Sequence, residues 1–191
     1  SASGHKIHAA KGVGALYINR RVKFTPLLRG SQENTRRGGT QNVASIAGFG
    51  KAAEIAAEHL GSRQILDWRN AFEEHMLSSV PGCTVNGDRT HRLPNTTNLS
   101  FEGIESEGAL ILLDEAGLCC SAGSACTSGS IHPSHVLKAM GFSNDRARAS
   151  LRFSFGRYNS SGDLARACEL IPAIVAKLRA LSPAGSPVLS A

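Results

Sequence analysis

Helical periodicity in the first half of the chain most constrains its fold. Apolar residues recur every three or four positions over residues 44–59 and again over 62–78, and Pro81-Gly82 then supplies a stop signal. This spacing is typical of amphipathic helices that pack one face against a core. Beyond Gly82 the pattern changes to short β-type runs separated by turns. The chain is therefore predicted to combine helices with strands.

Other segments carry weaker signals of structure. Residues 13–18 (VGALYI) form an apolar run that predicts a buried strand. Residues 29–42 are polar and rich in glycine, which indicates a surface loop of a length that commonly has a function. The remaining predicted elements are strands at 83–85, 97–101 and 151–155, and helices at 106–116, 133–140 and 163–181.

We predict a domain boundary near residues 60–64, between the two long helices. We assign residues 1–62 to one domain and 63–182 to a second. Residues 183–191 have the composition of a frayed tail.

Composition narrows the function classes. The chain has 191 residues, 41% of them apolar, which is enough for a hydrophobic core. No run approaches the roughly 18 apolar residues that cross a bilayer, and the N-terminus lacks the order of a secretory signal. The five cysteines have no disulfide-framework spacing, so reduced thiols are expected. We expect a cytoplasmic protein with no membrane partner.

The net charge of +6 would suit a nucleic-acid partner. The basic residues are scattered, however, and the few aromatic residues do not interleave with them to form stacking platforms. No nucleic-acid partner is expected.

The chemistry begins at Ser3-Gly4-His5-Lys6, which is followed closely by Lys11-Gly12-Val13-Gly14. A pyridoxal cofactor needs an amine that condenses with its aldehyde, beside donors that hold its phosphate. Lys6 offers the amine, and Ser3 and His5 are suitable donors. Taken alone, such a segment is more commonly a solvated lysine followed by turn glycines.

A second string, Ser-Ala-Gly-Ser-Ala-Cys-Thr-Ser-Gly-Ser, covers residues 121–130 and places Cys126 among small residues. No large apolar neighbour is present to bury the thiol, which favours a reachable loop where a nucleophilic thiolate could act. Free cysteines are also often small buried residues, and the composition of the loop leaves both interpretations open.

Four motifs together resemble the NifS/IscS-type cysteine desulfurases, which are pyridoxal-phosphate enzymes of the class V aminotransferase family and fold type I. They lie in the family's order at residues 3–6, 29–42, 121–130 and 151–157. The resemblance implies an α/β fold: the C-terminal part of the large domain, a mostly parallel sheet with helices, followed by a small α+β C-terminal domain. It covers only the C-terminal half of such enzymes, so a missing N-terminal half is an expected partner and the chain alone is expected to be incomplete.

The resemblance also assigns a cofactor site for pyridoxal 5'-phosphate. Lys6 corresponds to the Schiff-base lysine, and Ser3, Gly4 and His5 correspond to residues that bind the cofactor beside it. Thr40 corresponds to a residue that reaches the phosphate bound in the other subunit of a homodimer.

The substrate implied by the resemblance is L-cysteine, and Arg152 corresponds to the residue that binds its carboxylate. A planar guanidinium suits that role because it can pair with a carboxylate through two parallel hydrogen bonds. Cys126 corresponds to the nucleophile, which takes the substrate sulfur as a persulfide and leaves L-alanine. The sulfur would then pass to an iron-sulfur scaffold or another acceptor, and transient iron-sulfur ligation by Cys126 is a further option.

Three alternatives stay open from the sequence. The chain could be an inactive fragment, a sulfur-carrier or interaction module without its own cofactor, or part of a related selenocysteine lyase. A zinc site is a weaker alternative, because adjacent cysteines cannot easily point at one tetrahedral ion. Its candidate ligands are Cys119, Cys120, Cys126, His132 and His135.

Overall fold

The polypeptide divides into two units at Leu60–Gly61. The computed structural model describes residues 1–123 and 133–181. The first unit is Ser1–Leu60, and the second begins at Gly61.

Backbone pairing near the N-terminus organises the first unit. Strand β1 (Ala2–Ser3) pairs antiparallel with β2 (Gly14–Ala15), and a 3₁₀ turn at Gly4–Ile7 follows β1 directly. Helix α1 (Gln32–Thr35) is a single turn that contains left-handed backbone, and α2 (Val43–Glu58) packs against the 3₁₀ turn. The side chain of Asn42 caps α2 by accepting a hydrogen bond from the amide of Ser45 at 3.2 Å.

The first unit has almost no interior of its own. Among its described residues only Gly4 and Gly38 are buried, and no residue of α2 is. Helix α2 confirms the helix predicted at 44–59, but the buried strand predicted at 13–18 is wrong. Only Gly14–Ala15 is a strand, and Leu16 and Tyr17 are exposed. Among the described residues of this unit, β1 and β2 are too short to bury the apolar residues 13–18.

A three-stranded antiparallel sheet organises the second unit. Its strands are β3 (Cys83–Val85), β4 (Thr96–Phe101) and β5 (Ser150–Ser154), in the order β3-β4-β5. Leu99 lies opposite Leu151, and Phe101 lies opposite Cys83. All strand pairs in the described residues are antiparallel, so the parallel strands that the resemblance implies for the large domain are not among them.

The helices of this unit are α3 (Arg63–Ser79), α4 (Ser106–Glu115), α5 (His135–Ala139), α6 (Asn144–Arg148) and α7 (Ser161–Leu181). Helices α3, α4 and α7 contribute side chains to the hydrophobic core, whereas α5 and α6 do not belong to that cluster. Helices α3 and α4 both pack against α7. The rings of Phe72 and Phe153 join α3 to β5 with their centroids 4.9 Å apart. The largest fully buried apolar side chains of the core are Phe72, Met76, Leu99, Phe101, Leu113, Leu151, Ile171 and Val175.

Most elements of the second unit confirm the sequence predictions within one or two residues. The predicted helix at 133–140 is shorter, because Pro133 and Ser134 precede the first helical residue, His135. Helix α6 was not predicted, since its polar sequence NDRAR carries no apolar period. The predicted tail at 183–191 lies outside the described residues. Within residues 1–123 and 133–181, no helix is both long and apolar enough to span a membrane.

A buried carboxylate ties α3 to the loop before β4. Glu73 is 3% exposed and accepts two hydrogen bonds from Arg92, at 2.7 and 2.8 Å, and one from the hydroxyl of Thr97 at 2.6 Å. Burial acts to raise the pKa of Glu73, but the hydrogen bonds from Arg92 and Thr97 outweigh it and hold the pKa below its ordinary value. Arg69, which is also buried, donates to the carbonyl of Pro94 at 3.2 Å.

Replacing this carboxylate is expected to destabilise the second unit. Glu73→Gln leaves Arg92 and Arg69 without their counter-charge, which typically costs roughly 3–5 kcal/mol for a buried pair. Because the pKa of Glu73 is lowered by folding, its contribution is present above the unfolded pKa of about 4.3 and is lost as the pH falls through the folded value. Urea unfolding of the wild type and the variant at neutral and acidic pH measures both effects.

The neighbouring Glu74 is exposed, so Glu74→Gln is the matched control and should change the unfolding free energy little. Equal unfolding free energies for the two variants at pH 7 would contradict a stabilising role for the Glu73 cluster.

Candidate active site

Lys6 lies in the 3₁₀ turn that follows β1, and its side chain is exposed. Two backbone hydrogen bonds fix this turn: the amide of Gly4 donates to the carbonyl of Val13 at 2.9 Å, and the amide of Ala9 donates to the carbonyl of Gly4 at 3.0 Å. The turn ends at His8, whose φ is 68°. The backbone around Lys6 is therefore held at both ends, while its amine faces outward.

Two glycines of the predicted cofactor motif are required by close backbone approach. A Cβ at Gly4 would lie 2.8 Å from Cγ1 of Val13, and a Cβ at Gly14 would lie 2.5 Å from the carbonyl oxygen of Ala2. A side chain at Gly14 would require β1 to move away, and one at Gly4 would require Val13 to shift. These glycines hold the strand pair that presents Lys6.

The side chains of Ser3, His5 and Lys6 are exposed and make no hydrogen bond with another described residue. A hydroxyl, an imidazole and an amine are thus close in sequence and are not hydrogen-bonded to other described residues. This set fits pyridoxal 5'-phosphate, since the first two can donate to a phosphate and the amine can condense with an aldehyde.

Thr40 lies in the loop before α2, where the backbone doubles back tightly. The amide of Gly38 donates to the carbonyl of Leu28 at 2.7 Å, and a Cβ at Gly38 would lie 2.2 Å from the carbonyl oxygen of Arg29. Arg37 donates to the carbonyl of Thr40 at 3.5 Å. The hydroxyl of Thr40 is exposed and makes no hydrogen bond among the described residues.

Arg152 belongs to the second unit and lies in the middle of β5, opposite Asn98 of β4. Its neighbours Leu151 and Phe153 are buried in the core, so Arg152 projects from the other face of the sheet and is half-buried. Its backbone also pairs with Ser121: the amide of Arg152 donates to the Ser121 carbonyl at 2.7 Å, and the Ser121 amide donates to the Arg152 carbonyl at 3.1 Å. Strand β5 therefore pairs with β4 along one edge and with Ser121, through Arg152, along the other.

A polar network stabilises the face of the sheet from which Arg152 projects. The amide group of Asn86 donates to the side-chain oxygen of Asn98 at 2.7 Å and to the hydroxyl of Ser150 at 2.9 Å. Arg146 of α6 donates to the side-chain oxygen of Asn86 at 2.7 Å. These bonds hold α6 on the sheet and fix Asn98 opposite Arg152.

The thiols differ in their surroundings. Cys119 is exposed, whereas Cys120 is half-buried and Cys83 is buried. Burial, reinforced by Cys119, raises the pKa of the Cys120 thiol to about 12, and burial raises the pKa of Cys83 to about 11. Cys126, the predicted nucleophile, lies outside the described residues.

The zinc alternative gains no support from the described ligands. Among the residues that the structure describes, no group of three His, Cys, Asp or Glu side chains could hold a metal ion. Two of the five residues proposed for that site, Cys126 and His132, lie outside this part of the chain.

A cavity of about 290 Å³ opens beside Cys119 between α3, β5 and α7. None of the predicted cofactor or substrate residues lines it. Its two charged side chains already have partners, because Arg166 donates to the carbonyl of Ala116 at 2.7 Å and Asp163 accepts from Ser160 at 2.8 Å. The cavity therefore offers no evident ligand chemistry.

The sequence did not predict the contacts of Ser121 and Gly123, although both lie in the string that contains Cys126. Gly123 has a φ of 77°, and a Cβ placed on it would lie 3.4 Å from Cβ of Ser134. In the sequence around Gly123, a glycine between small residues is the only local indication that the chain passes close to Ser134. The pairing of Ser121 with Arg152 has no local signal, since the two residues are far apart in the sequence.

Comparisons with known proteins agree on one family. The family model described as "Aminotransferase class-V" matches residues 1–166. A cysteine desulfurase of a Nostoc species is 52% identical over 184 residues, which are 95% of this chain and 46% of the relative. The cysteine desulfurase NifS of Azotobacter vinelandii is 47% identical over 96% of this chain and 46% of its own length.

A solved structure titled "NIFS-LIKE PROTEIN" superposes with a TM-score of 0.80 at 32% identity, over 92% of this chain and 46% of that one. This likeness confirms the predicted α/β fold of fold-type I enzymes. The chain spans about half the length of the relatives that it matches.

The described thiols should differ in reactivity. At pH 8, iodoacetamide should modify Cys119 well before Cys120, because Cys119 is exposed whereas a pKa of about 12 leaves almost no Cys120 thiolate. The rate at Cys120 should rise about tenfold per pH unit between pH 7 and 9. Peptide mass spectrometry of quenched samples measures each site.

In urea the difference between Cys119 and Cys120 should disappear, since both thiols are then solvated. Equal rates at Cys119 and Cys120 in the folded protein would contradict the burial of Cys120.

Proposed function

The chain belongs to the class V aminotransferase family, and from that premise we propose that it is part of a pyridoxal-phosphate-dependent cysteine desulfurase. The reaction converts L-cysteine to L-alanine and leaves the sulfur on the enzyme as a persulfide. The names and the 45–52% identities of the relatives support this activity over other chemistry in the family.

The observation that carries the proposal is the pairing of Ser121 with Arg152. In the proposed site, Arg152 binds the carboxylate of L-cysteine, and Cys126 attacks the sulfur of the same molecule. Cys126 is five residues beyond Ser121, so the chain between them spans at most about 18 Å when extended. The two backbone hydrogen bonds to Arg152 therefore support a nucleophile tethered close to the bound substrate.

The proposed cofactor contacts come from the first unit. Lys6 supplies the amine that bonds the cofactor, and Ser3, Gly4 and His5 supply donors for its phosphate. Thr40 contacts the phosphate held by the other subunit of a homodimer. When bound, the cofactor withdraws electrons from the substrate and so makes its sulfur susceptible to a thiolate.

The sulfur transfer balances without an external oxidant. The thiolate of Cys126 forms a bond to the substrate sulfur, and the bond between that sulfur and the β-carbon breaks. The carbon keeps the electron pair and gains a proton, which gives L-alanine, while Cys126 keeps the sulfur as a persulfide. Lys6 is the group proposed to move protons at the substrate carbon.

The persulfide is proposed to pass to an iron-sulfur scaffold or another sulfur acceptor. A cytoplasmic setting suits this chemistry, because it keeps thiols reduced. The sulfur-carrier module and the selenocysteine lyase are distinguished from the desulfurase by the two experiments below.

Lys6→Ala in the complete enzyme should abolish both cofactor retention and turnover, because alanine has no amine to bond the aldehyde. The measurements are the pyridoxal phosphate content after desalting and the alanine formed from L-cysteine. Lys11→Ala replaces an exposed lysine of the same unit and should leave both unchanged.

Near wild-type sulfur release by the Lys6→Ala enzyme would remove Lys6 from the site. A wild-type protein that binds no cofactor would instead favour the sulfur-carrier module.

Cys126→Ser should leave cofactor content unchanged and abolish sulfur transfer, because a serine hydroxyl is far less nucleophilic than a thiolate and cannot form a persulfide. The measurement is the site of labelled sulfur on the protein after incubation with labelled L-cysteine, resolved by peptide mass. Cys119→Ser is the matched control and should retain label on Cys126.

Label on Cys119 or Cys120 with none on Cys126 would overturn the assignment of the nucleophile. Turnover of selenocysteine with none of cysteine would favour the lyase.

A further inference from the structure

We propose that Asn98 is a second residue that binds the substrate carboxylate: its side-chain amide is held so that Nδ2 can donate a hydrogen bond beside the guanidinium of Arg152. The inference deepens the proposed function and rests on it, because Arg152 is the proposed carboxylate-binding residue. Its evidence is a chain of hydrogen bonds that begins at Arg146 of α6 and ends at Asn98 of β4.

Asn98 and Arg152 are neighbours on one face of the sheet. They are cross-strand partners in β4 and β5, so their side chains project from the same face. The backbone amide and carbonyl of Arg152 bond to Ser121 on the other edge of β5, which makes Asn98 and Arg152 a non-hydrogen-bonded pair. The Cα atoms of such pairs are only roughly 4.5 Å apart. A small anion bound on this face can therefore contact both side chains.

The orientation of the network starts at Asn86, which is 7% exposed. A guanidinium donates hydrogen bonds and accepts none. Because Nε of Arg146 donates to the Asn86 side chain at 2.7 Å, the atom of Asn86 that faces it must be the oxygen. Arg146 is itself held in place, since it donates to the carbonyl of Val85 at 3.1 Å and its guanidinium lies 4.3 Å from the centre of the Phe142 ring.

A second constraint gives Asn86 the same orientation. The hydroxyl of Ser150 donates its one hydrogen to the carbonyl of Arg146 at 2.5 Å, so its oxygen accepts from Nδ2 of Asn86 at 2.9 Å. The other hydrogen of Nδ2 goes to Asn98 at 2.7 Å. Asn98 must therefore offer its oxygen to Asn86, and its own Nδ2 is the half of the amide that remains for another partner.

This orientation leaves two donors side by side. Within residues 1–123 and 133–181, neither Nδ2 of Asn98 nor the guanidinium of Arg152 donates a hydrogen bond, and both side chains are half-buried. An ionised carboxylate only accepts hydrogen bonds, and it has two oxygens that can do so. The reverse orientation of Asn98 would present an oxygen to the carboxylate and repel it. The network thus determines that this amide attracts an anion.

The test uses the complete enzyme loaded with pyridoxal phosphate. It measures the KM for L-cysteine and the inhibition constant of cysteamine, which is the same molecule without the carboxylate. Asn98→Ala should raise the KM about tenfold or more, because it removes a hydrogen bond to a charged group, and should change kcat less than threefold. The inhibition constant of cysteamine should stay within twofold of wild type.

Asn98→Asp is the second variant at this position. It keeps an oxygen for the hydrogen bond from Asn86, but it replaces the free donor with a negative charge. It should therefore raise the KM for L-cysteine further than Asn98→Ala does, again with little change for cysteamine.

Asn86→Asp tests the orientation from a residue that does not touch the substrate. The new carboxylate can accept from Arg146 but has no hydrogen to donate, so Asn98 should turn its Nδ2 toward it and leave its oxygen beside Arg152. The KM should rise about as much as in Asn98→Ala. The double variant Asn86→Asp/Asn98→Ala should be no worse than Asn98→Ala alone, because the effect acts through Asn98.

Ser100→Ala is the matched control. Ser100 lies two residues beyond Asn98 on the same face of β4, and its hydroxyl bonds to that of Thr84 at 2.8 Å. The variant disturbs the polar face without removing a donor beside Arg152, so the KM should stay within twofold. Arg152→Lys is the reference variant and should raise the KM, because it loses the planar fork.

Several outcomes would overturn the inference. An unchanged KM in Asn98→Asp would do so, as would an equal loss of cysteamine binding or additive effects in the double variant. A KM raised as much by Ser100→Ala as by Asn98→Ala would assign the effect to packing of the sheet. If Asn98→Ala fails to fold, Asn98→Asp decides the question, because it keeps the bond to Asn86.

The reference variant separates this inference from the proposed function. A raised KM in Arg152→Lys beside unaffected Asn98 variants would overturn the inference alone. An unchanged KM in Arg152→Lys would remove the proposed carboxylate site, and the role of Asn98 with it.

Discussion

The hydrogen bonding of β5 on both of its sides is the interaction on which the second unit depends. One side pairs with β4, and the other side pairs with Ser121 at the position of Arg152. Alternation along the strand then sends Leu151 and Phe153 into the core and Arg152 to the opposite face. The five residues of β5 therefore contribute to the core and also hold Arg152, the proposed carboxylate-binding residue, beside Ser121.

The helices and strands of the second unit could be predicted because their signals are local. Helices α3 and α7 show apolar spacing along one face, and Gly117, with a φ of 78°, marks the end of α4. The failures are also physical. An apolar run indicates burial only where other elements cover it, and the described part of the first unit supplies none for residues 13–18. The two-sided pairing of β5 needs residues that are far apart in sequence, which no local pattern encodes.

The two units differ in net charge as well as in packing. The first sixty residues contain nine lysines and arginines against three glutamates, which accounts for the whole net charge of +6. The rest of the chain is balanced, and its buried Glu73 is neutralised by Arg92. A basic unit with unengaged donors at Ser3, His5 and Lys6 is suited to an anionic cofactor. Ser3, Gly4, His5 and Lys6 could be predicted as candidates for such a site because they form one continuous string.

The surroundings of the thiols indicate that the cysteines differ in reactivity. Burial raises the pKa of Cys83, Cys120 and Cys168, so these three are poor nucleophiles near neutral pH. Cys119 is exposed, but it lies only two residues before Ser121, whose backbone is bonded to β5. A thiol that takes sulfur from a bound substrate and then gives it to an outside acceptor needs a change of position between the two steps. We assign that role to Cys126, which follows Ser121 by five residues in the sequence and lies outside the described residues.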